Sequence, residues 1–419
     1  MTRQTMTRQT IKFASLAAAL ALAGAVHAQD ATLLPAARGD VALRTLATDA
    51  PATPPSTERA PVHFAWALPA DAPALAAPAP YTAVSREYWK DVDGAALARG
   101  VTVHTTAPGA LVLISPAGEG SRAVAPGVLQ VRQGGRAIAA KDATVALAPQ
   151  AALEAATGAN FAPGALGFRL APTLGAGAFE LQVPDARGRY VVHVREPDSA
   201  VALRVENPAA AYRTGDRVSL QASLGSETGR ATLGDIGGMI VAPDGRDFPL
   251  RAVRTRSGID LQAALPHEAS SVPGLWEAHV LAAGDADGAE VLRDAKVAFE
   301  VAAPTARLRG GYKARSDAGG QLVFELPVEV GSPGRYEVRA VLYGTDARGE
   351  LAPVAVGHAA DWLGRGAGAL TLVFPPEVTR DASAPYELRQ LGLNDQGRMG
   401  RLEYRERAAR VERRPLVGR

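Results

Sequence analysis

Gly188-Arg189-Tyr190-Val191-Val192-His193-Val194, Gly274-Leu275-Trp276-Glu277-Ala278-His279-Val280 and Gly334-Arg335-Tyr336-Glu337-Val338-Arg339-Ala340 are one pattern written three times. A glycine is followed by a spacer, a large aromatic, two residues, a base and an apolar residue. Glycine allows the tight turn that leads into a strand. The aromatic is then the first inward side chain and fills a core. Positions two and four beyond it also point inward, and those between face water. Immunoglobulin-like sandwiches carry such a strand late in the domain, often with a tyrosine at its corner. The three copies predict three sandwiches, with Tyr190, Trp276 and Tyr336 as structural core residues. His193 and His279 share the basic position, which makes them outward-facing strand residues rather than catalytic ones.

Outward from the repeats, short alternating apolar runs recur at intervals of about ten residues. Examples are Ala178-Phe179-Glu180-Leu181-Gln182-Val183, Val218-Ser219-Leu220-Gln221-Ala222 and Ala369-Leu370-Thr371-Leu372-Val373-Phe374. Turn signals such as Pro243-Asp244-Gly245 and Asp287-Gly288 separate them. The fold class read from this is mainly β, in tandem immunoglobulin-like β-sandwich domains. Gly188 and Gly274 are 86 residues apart, whereas Gly274 and Gly334 are only 60 apart. The third repeat therefore falls early in its domain, and a sandwich of different strand order is expected there. The boundaries read as domain 1 over 81–196, domain 2 over 197–302 and domain 3 over 303–419. The last carries a basic tail, with eight Arg and three Glu from Arg398 to Arg419. Helix is expected only within Ser85–Arg99, around Tyr88 and Trp89, and over Gln150–Thr157.

The N-terminus reads as an export signal over residues 1–28. Arg3, Arg8 and Lys12 precede an apolar run from Phe13 to Val26, and Ala28 stands before a cleavage point. Residues 29–80 are rich in Ala and Pro, which reads as a linker or extended arm. That stretch includes the adhesion tripeptide Arg38-Gly39-Asp40. No later apolar run has the length of a membrane helix, so no integral membrane segment is expected after signal cleavage. A periplasmic or secreted location follows. The 45 basic and 43 acidic residues include three bases in the signal, leaving 42 against 43. A balance near −1 gives no footprint for nucleic acid. The chain has no cysteine, which excludes disulfides, thiolate metal sites and a cysteine nucleophile.

Chemistry-bearing motifs are incomplete. His267-Glu268 opens like a zinc-protease helix, but Ser271 occupies the place of the second histidine. Gly364-Arg365-Gly366-Ala367-Gly368 mimics a dinucleotide fingerprint, yet it precedes a strand instead of following one. Asp285 and Asp287 are fragments of a calcium loop, as are Asp91 and Asp93, and hairpin tips account for both. No catalytic residue, metal or cofactor is assigned, and the reading leans away from an enzyme. For binding, exposed aromatics are the candidates: Trp362 with Asp361 and Arg365, then Tyr88 and Trp89.

Ser85-Arg86-Glu87-Tyr88-Trp89, His104-Thr105-Thr106-Ala107-Pro108-Gly109-Ala110, Gly274-Leu275-Trp276-Glu277 and Ala384-Pro385-Tyr386-Glu387-Leu388-Arg389 carry a resemblance. With these segments the chain resembles an uncharacterised proteobacterial family of exported proteins, the domain-of-unknown-function family numbered 4785, over about Tyr81–Arg407. The resemblance implies tandem immunoglobulin-like sandwiches and export, and it supplies no active site. Tyr212–Leu220 is similar to macroglobulin-type sandwich strands, but a thioester trap needs a cysteine. The function expected is a binding or scaffold protein presenting sandwich loops to a protein or glycan partner. The alternative is a secreted hydrolase, or an accessory module of one, with a carboxylate site at a domain interface.

Overall fold

The computed structural model describes residues 29–413, apart from 53–57, 70–79, 210, 257, 271 and 317–319. The export signal over 1–28 lies outside the described residues. The chain is mainly β, in multiple antiparallel sheets. It divides into two compact units, one from Ala79 to Val301 and one combining Ala302 onward with the chain before Pro78.

The 79–301 unit contains two large hydrophobic cores and a small cluster of Val201, Ala286 and Val291. Around the first, a five-stranded sheet runs in the order Glu87–Asp93, Arg189–Arg195, Leu111–Pro116, Leu166–Leu170, Thr144–Pro149. A four-stranded sheet faces it, ordered Val101–Thr105, Gly177–Gln182, Gln130–Gln133, Arg136–Ile138. Alternation sends Tyr88, Ile114, Phe168, Tyr190 and Val192 inward from one sheet and Val103, Val131, Phe179 and Leu181 inward from the other. The second core is enclosed by an eight-stranded sheet ordered Ala289–Phe299, Trp276–Ala286, Ala231–Val241, Asp247–Thr255, Gly258–Ala264, Arg217–Ser226, Val201–Asn207, Tyr81–Ser85. It closes over itself because Asp247–Thr255 pairs with 238–241 through its first half and with 258–262 through its second.

Two readings of this region are corrected. Tyr81–Ser85, assigned to domain 1, pairs with Val201–Asn207 in the second sheet. Alternation reports which face of a strand is buried, but not which sheet edge it joins. Tyr88 and Trp89 sit on a strand, and the helix begins only at Gly94, where the Asp93 carboxylate accepts the Ala95 N–H at 2.9 Å. Further helices span Ala140–Ala143, which was not expected, and Gln150–Thr157.

The other unit is a sandwich around one core. One sheet is ordered Val62–Ala67, Leu351–Leu363, Gly334–Thr345, Ser383–Asp395, Gly400–Val411. The other centres on Leu322–Val330, which pairs with Gly311–Ser316 and Ala306–Leu308 along one edge and with Gly366–Phe374 along the other. Gln29–Thr32 adds to Gly311–Ser316. The linker reading of 29–80 is thus overturned for its described residues. It supplies two edge strands, and Leu33 is buried in the core. Val41 and Tyr404 exchange backbone hydrogen bonds of 2.8 and 3.0 Å. Prolines forbid helix and central strands, but they leave Val62–Ala67 free to pair at an edge between Pro61 and Pro69.

The repeat aromatics each open a strand. Tyr190 and Trp276 are 1% exposed and Tyr336 is fully buried. The Tyr190 hydroxyl donates to the Arg122 carbonyl at 2.7 Å, Trp276 stacks on Phe248, and the Tyr336 hydroxyl reaches back to the Ser332 carbonyl. Burial pushes the Tyr336 phenol up to about 12. Arg38-Gly39-Asp40 forms a turn whose carboxylate is held at home. Asp40 accepts the Ala37 N–H through one oxygen and the Glu406 N–H through the other, both at 2.8 Å.

Candidate binding groove at the seam of two sandwiches

The two cores of the 79–301 unit meet along a seam fixed by a buried ion pair. The Arg293 and Glu196 side chains are 1% and 0% exposed, with 2.8 Å between Nη1 and Oε2. A guanidinium has five N–H donors, and each has a partner. Nη1 also donates to the Leu292 carbonyl at 2.7 Å, Nη2 to the Thr106 and Ser199 hydroxyls at 2.8 and 3.0 Å, and Nε to the Val201 carbonyl at 3.2 Å. Glu196 accepts in turn from the N–H groups of Thr106 and Ala107. Burial pulls the Arg293 guanidinium below its usual range, against the pull of Glu196. Such a network is favourable only when every member is satisfied, as it is here.

Beside this lock, the seam opens into a groove of about 410 Å³, lined by Trp89, Lys90, Asp235, Ile236, Leu281 and Asp294 among others. Asp294 follows Arg293 on Ala289–Phe299 and is only 4% exposed. Its Oδ2 accepts the Trp89 backbone N–H at 2.8 Å across the seam. Burial pushes the Asp294 carboxyl up to about 6, with the Trp89 hydrogen bond and His193 opposing and Glu87 adding to the rise. Asp235 is brought to the groove by a bulge. The register of Ala231–Val241 against Trp276–Ala286 shifts between Leu233 and Ile236, which leaves Gly234 and Asp235 outside the ladder. The Trp89 indole is framed by His193, edge-on at 6.0 Å, and by the Lys296 ammonium 5.2 Å from the ring centroid. His193 lies 3.2 Å from Glu87, and that contact holds the Glu87 carboxyl below its usual range.

The candidates from sequence separate accordingly. Trp89 is half-buried in the groove wall. Tyr88 is a core residue, 1% exposed. Its hydroxyl donates to the His104 carbonyl at 2.9 Å and accepts the His104 N–H at 2.8 Å, and burial pushes its phenol far up. Asp361 and Trp362 lie on a strand, and Arg365 follows its end. Trp362 lies on Leu351–Leu363 under the Arg59 guanidinium, 4.3 Å from its ring. Asp361 accepts the Trp362 N–H at 2.7 Å, and Arg365 donates to the Thr48 carbonyl at 2.7 Å. The segment read as a linker reaches two of them, Arg59 over the Trp362 ring and Thr48 on Arg365.

Asp285 and Asp287 occupy the tip of the 276–299 hairpin. Asp285 accepts the Gly288 N–H at 2.9 Å and Asp287 the Arg230 N–H at 3.2 Å. Positive φ values of 51° and 87° at Asp287 and Gly288 suit the two-residue turn that favours Asp-Gly. Among the described residues, no three His, Cys, Asp or Glu side chains gather as a metal site would require. Sequence reading missed Asp294, Asp235, Arg293 and Glu196. The available signals were the adjacent charges Arg293-Asp294 inside an apolar strand and the Gly234, Gly237 and Gly238 interruptions that mark a bulged one.

With this geometry in hand, comparison with known proteins identifies the family. Residues 53–196 match the profile described as "Domain of unknown function (DUF4785) N-terminal domain", and 305–412 match that described as "Domain of unknown function (DUF4785) C-terminal domain". The chain belongs to this family. A crystal structure of a DUF4785 family protein from Legionella pneumophila subsp. pneumophila strain Philadelphia 1 is similar, with a TM-score of 0.69 at 22% identity. The alignment covers 88% of this chain and 99% of that one, and it establishes a shared fold. Escherichia coli alpha-2-macroglobulin activated by porcine elastase aligns at 11% identity over 80% of this chain and 31% of its own, with a TM-score of 0.17. A score that low carries no argument. The comparison with curated proteins gives no match.

Proposed function

We propose that this is an exported binding or scaffold protein whose seam groove receives part of a protein or glycan partner. The observation that carries the reading is that the Trp89 backbone N–H donates to Asp294 across the seam, with the side chains of both residues lining one groove. The groove lies beside a buried ion-pair network whose donors are all satisfied, and a seam fixed in that way gives the preorganisation a binding site needs. Export rests on the basic and apolar segments of residues 1–28, and a periplasmic or secreted location is part of the proposal. The test is capture of partners from envelope extract by immobilised wild type, Trp89→Ala and Asp294→Ala. Both substitutions are expected to abolish the specific capture. Equal capture by all three would remove the groove from the account.

One observation favours a second reading as a hydrolase or its accessory module. A carboxyl raised to about 6 is half-protonated at about pH 6 and can hold a proton for general-acid work in mildly acidic conditions, and Asp235 supplies a second carboxylate in the same groove. Turnover of a glycan or peptide substrate that both Asp294→Asn and Asp235→Asn abolish, with binding retained, would favour that reading.

A further inference from the structure

Among the described residues, the strand Val62–Ala67 forms the edge of its five-stranded sheet. It has none of the protections that edges usually carry: no Lys, Arg, Asp, Glu or Pro within it, and no bulge in its register with 355–360. Val62, Phe64 and Trp66 are 40%, 46% and 44% exposed. The Phe64 and Trp66 rings stand 5.5 Å apart, with His358 5.0 and 5.1 Å from them. The opposite edge of the sheet differs, since Gly400–Val411 carries Arg401, Arg405, Arg407 and Arg410. We propose that the free edge of Val62–Ala67 pairs with the same strand of a second copy of this chain.

Hydrogen-bond parity makes the strand self-complementary. The Leu68 N–H donates to the Val354 carbonyl at 2.8 Å, which continues the register that sets Trp66 opposite Val356 and Phe64 opposite His358. In an antiparallel ladder, alternate residues send both backbone groups to the same neighbour. Val62, Phe64 and Trp66 are therefore bonded inward, and His63, Ala65 and Ala67 present their N–H and C=O groups to the free edge. A two-fold pairing centred on Ala65 sets His63 opposite Ala67 of the copy and uses all three residues. Shifting by two in either direction brings in Pro61 or Pro69, which bracket the strand and have no N–H to give. The same register sets Phe64 directly opposite Trp66 of the copy on the outer face, twice over, as cross-strand aromatic pairs. The strand has no Lys, Arg, Asp or Glu, and this register sets His63 opposite Ala67, so no like-charged pair faces across the two copies. Six residues a side fall short of the area that stable dimers bury, roughly 1,200–2,000 Å², so the dimer is weak and concentration-dependent.

Sedimentation velocity on the purified chain between about 1 and about 300 µM tests this, a range set by the small interface. The wild type is expected to shift from monomer to dimer within it. Ala65→Pro removes a free-edge N–H and no hydrogen bond within the chain. Trp66→Lys places a charge opposite the ring of Phe64. Each is expected to weaken dimerisation by at least about tenfold while still unfolding in a single cooperative transition. Leu275→Lys, at a residue 60% exposed in the other unit, is expected to leave the dimer unchanged. A chain that stays monomeric throughout overturns the proposal, including the case in which the edge takes an extended segment of another protein. A dimer that both strand variants retain, or that Leu275→Lys disrupts equally, overturns it too.

Discussion

Replacing Arg293 by Met isolates what holds the seam. Met keeps most of the apolar stem but removes the guanidinium, so the packing loss is small and the effect is electrostatic. Five hydrogen-bond donors leave together, and the Glu196 carboxylate, with 0% exposure, stays behind without its counter-charge. Breaking a buried pair from one side costs about 3–5 kcal/mol. Two N–H donors from Thr106 and Ala107 remain on Glu196, which places the expected loss near the lower end of that range. With a urea slope of about 2–3 kcal/mol/M for a unit of this size, the midpoint for the 79–301 unit should fall by about 1–2 M. Urea denaturation followed by tryptophan fluorescence reads this, because Trp89 and Trp276 lie on the two sides of the seam. The double variant Arg293→Met with Glu196→Gln removes both charges and should recover much of the loss. A drop below about 1 kcal/mol for Arg293→Met, or losses that simply add in the double variant, would refute the reasoning.

Three further outcomes are expected. Asp294→Asn keeps an acceptor for the Trp89 N–H but cannot ionise. Because the native carboxyl titrates at about 6 against about 3.9 when unfolded, the wild type bears no penalty below pH 4. It acquires one as the pH rises from about 4 to about 6, and carries it in full above that. The variant should therefore match the wild type in acid and exceed it by up to about 3 kcal/mol at pH 8, measured by denaturation across that range. Trp276→Ala should cost about 3–5 kcal/mol, since the indole is 1% exposed and stacked on Phe248, and the thermal midpoint checks it. Tyr336→Phe should cost about 1–3 kcal/mol by leaving the Ser332 carbonyl without its donor, read the same way.

The sandwich repeats were legible because a glycine, an aromatic and period-two alternation are local statements about one strand. Tyr190, Trp276 and Tyr336 all follow from them. The seam was not, because its meaning is non-local. Asp294 and Trp89 are 205 residues apart, and a charge in an apolar strand reads as a solvent-facing position until its partner is known. Trp362 fails for the complementary reason. Its own neighbourhood of Gly364, Arg365 and Gly366 looks like an open loop, but Arg59 and Thr48 cover it from a stretch whose prolines suggested a linker. Proline reports what a backbone cannot do, and it does not say whether the residues between two prolines pair at an edge. Asp235 was hidden because a bulge is set by pairing with the strand beside it.

The most direct test of the groove is hydrogen exchange on the chain with and without a partner captured from envelope extract. Protection on binding is expected at 88–90, 235–237, 281–283 and 292–294, the segments that wall the groove, and it should vanish in Trp89→Ala. Protection concentrated elsewhere, with these amides unchanged, would contradict the account.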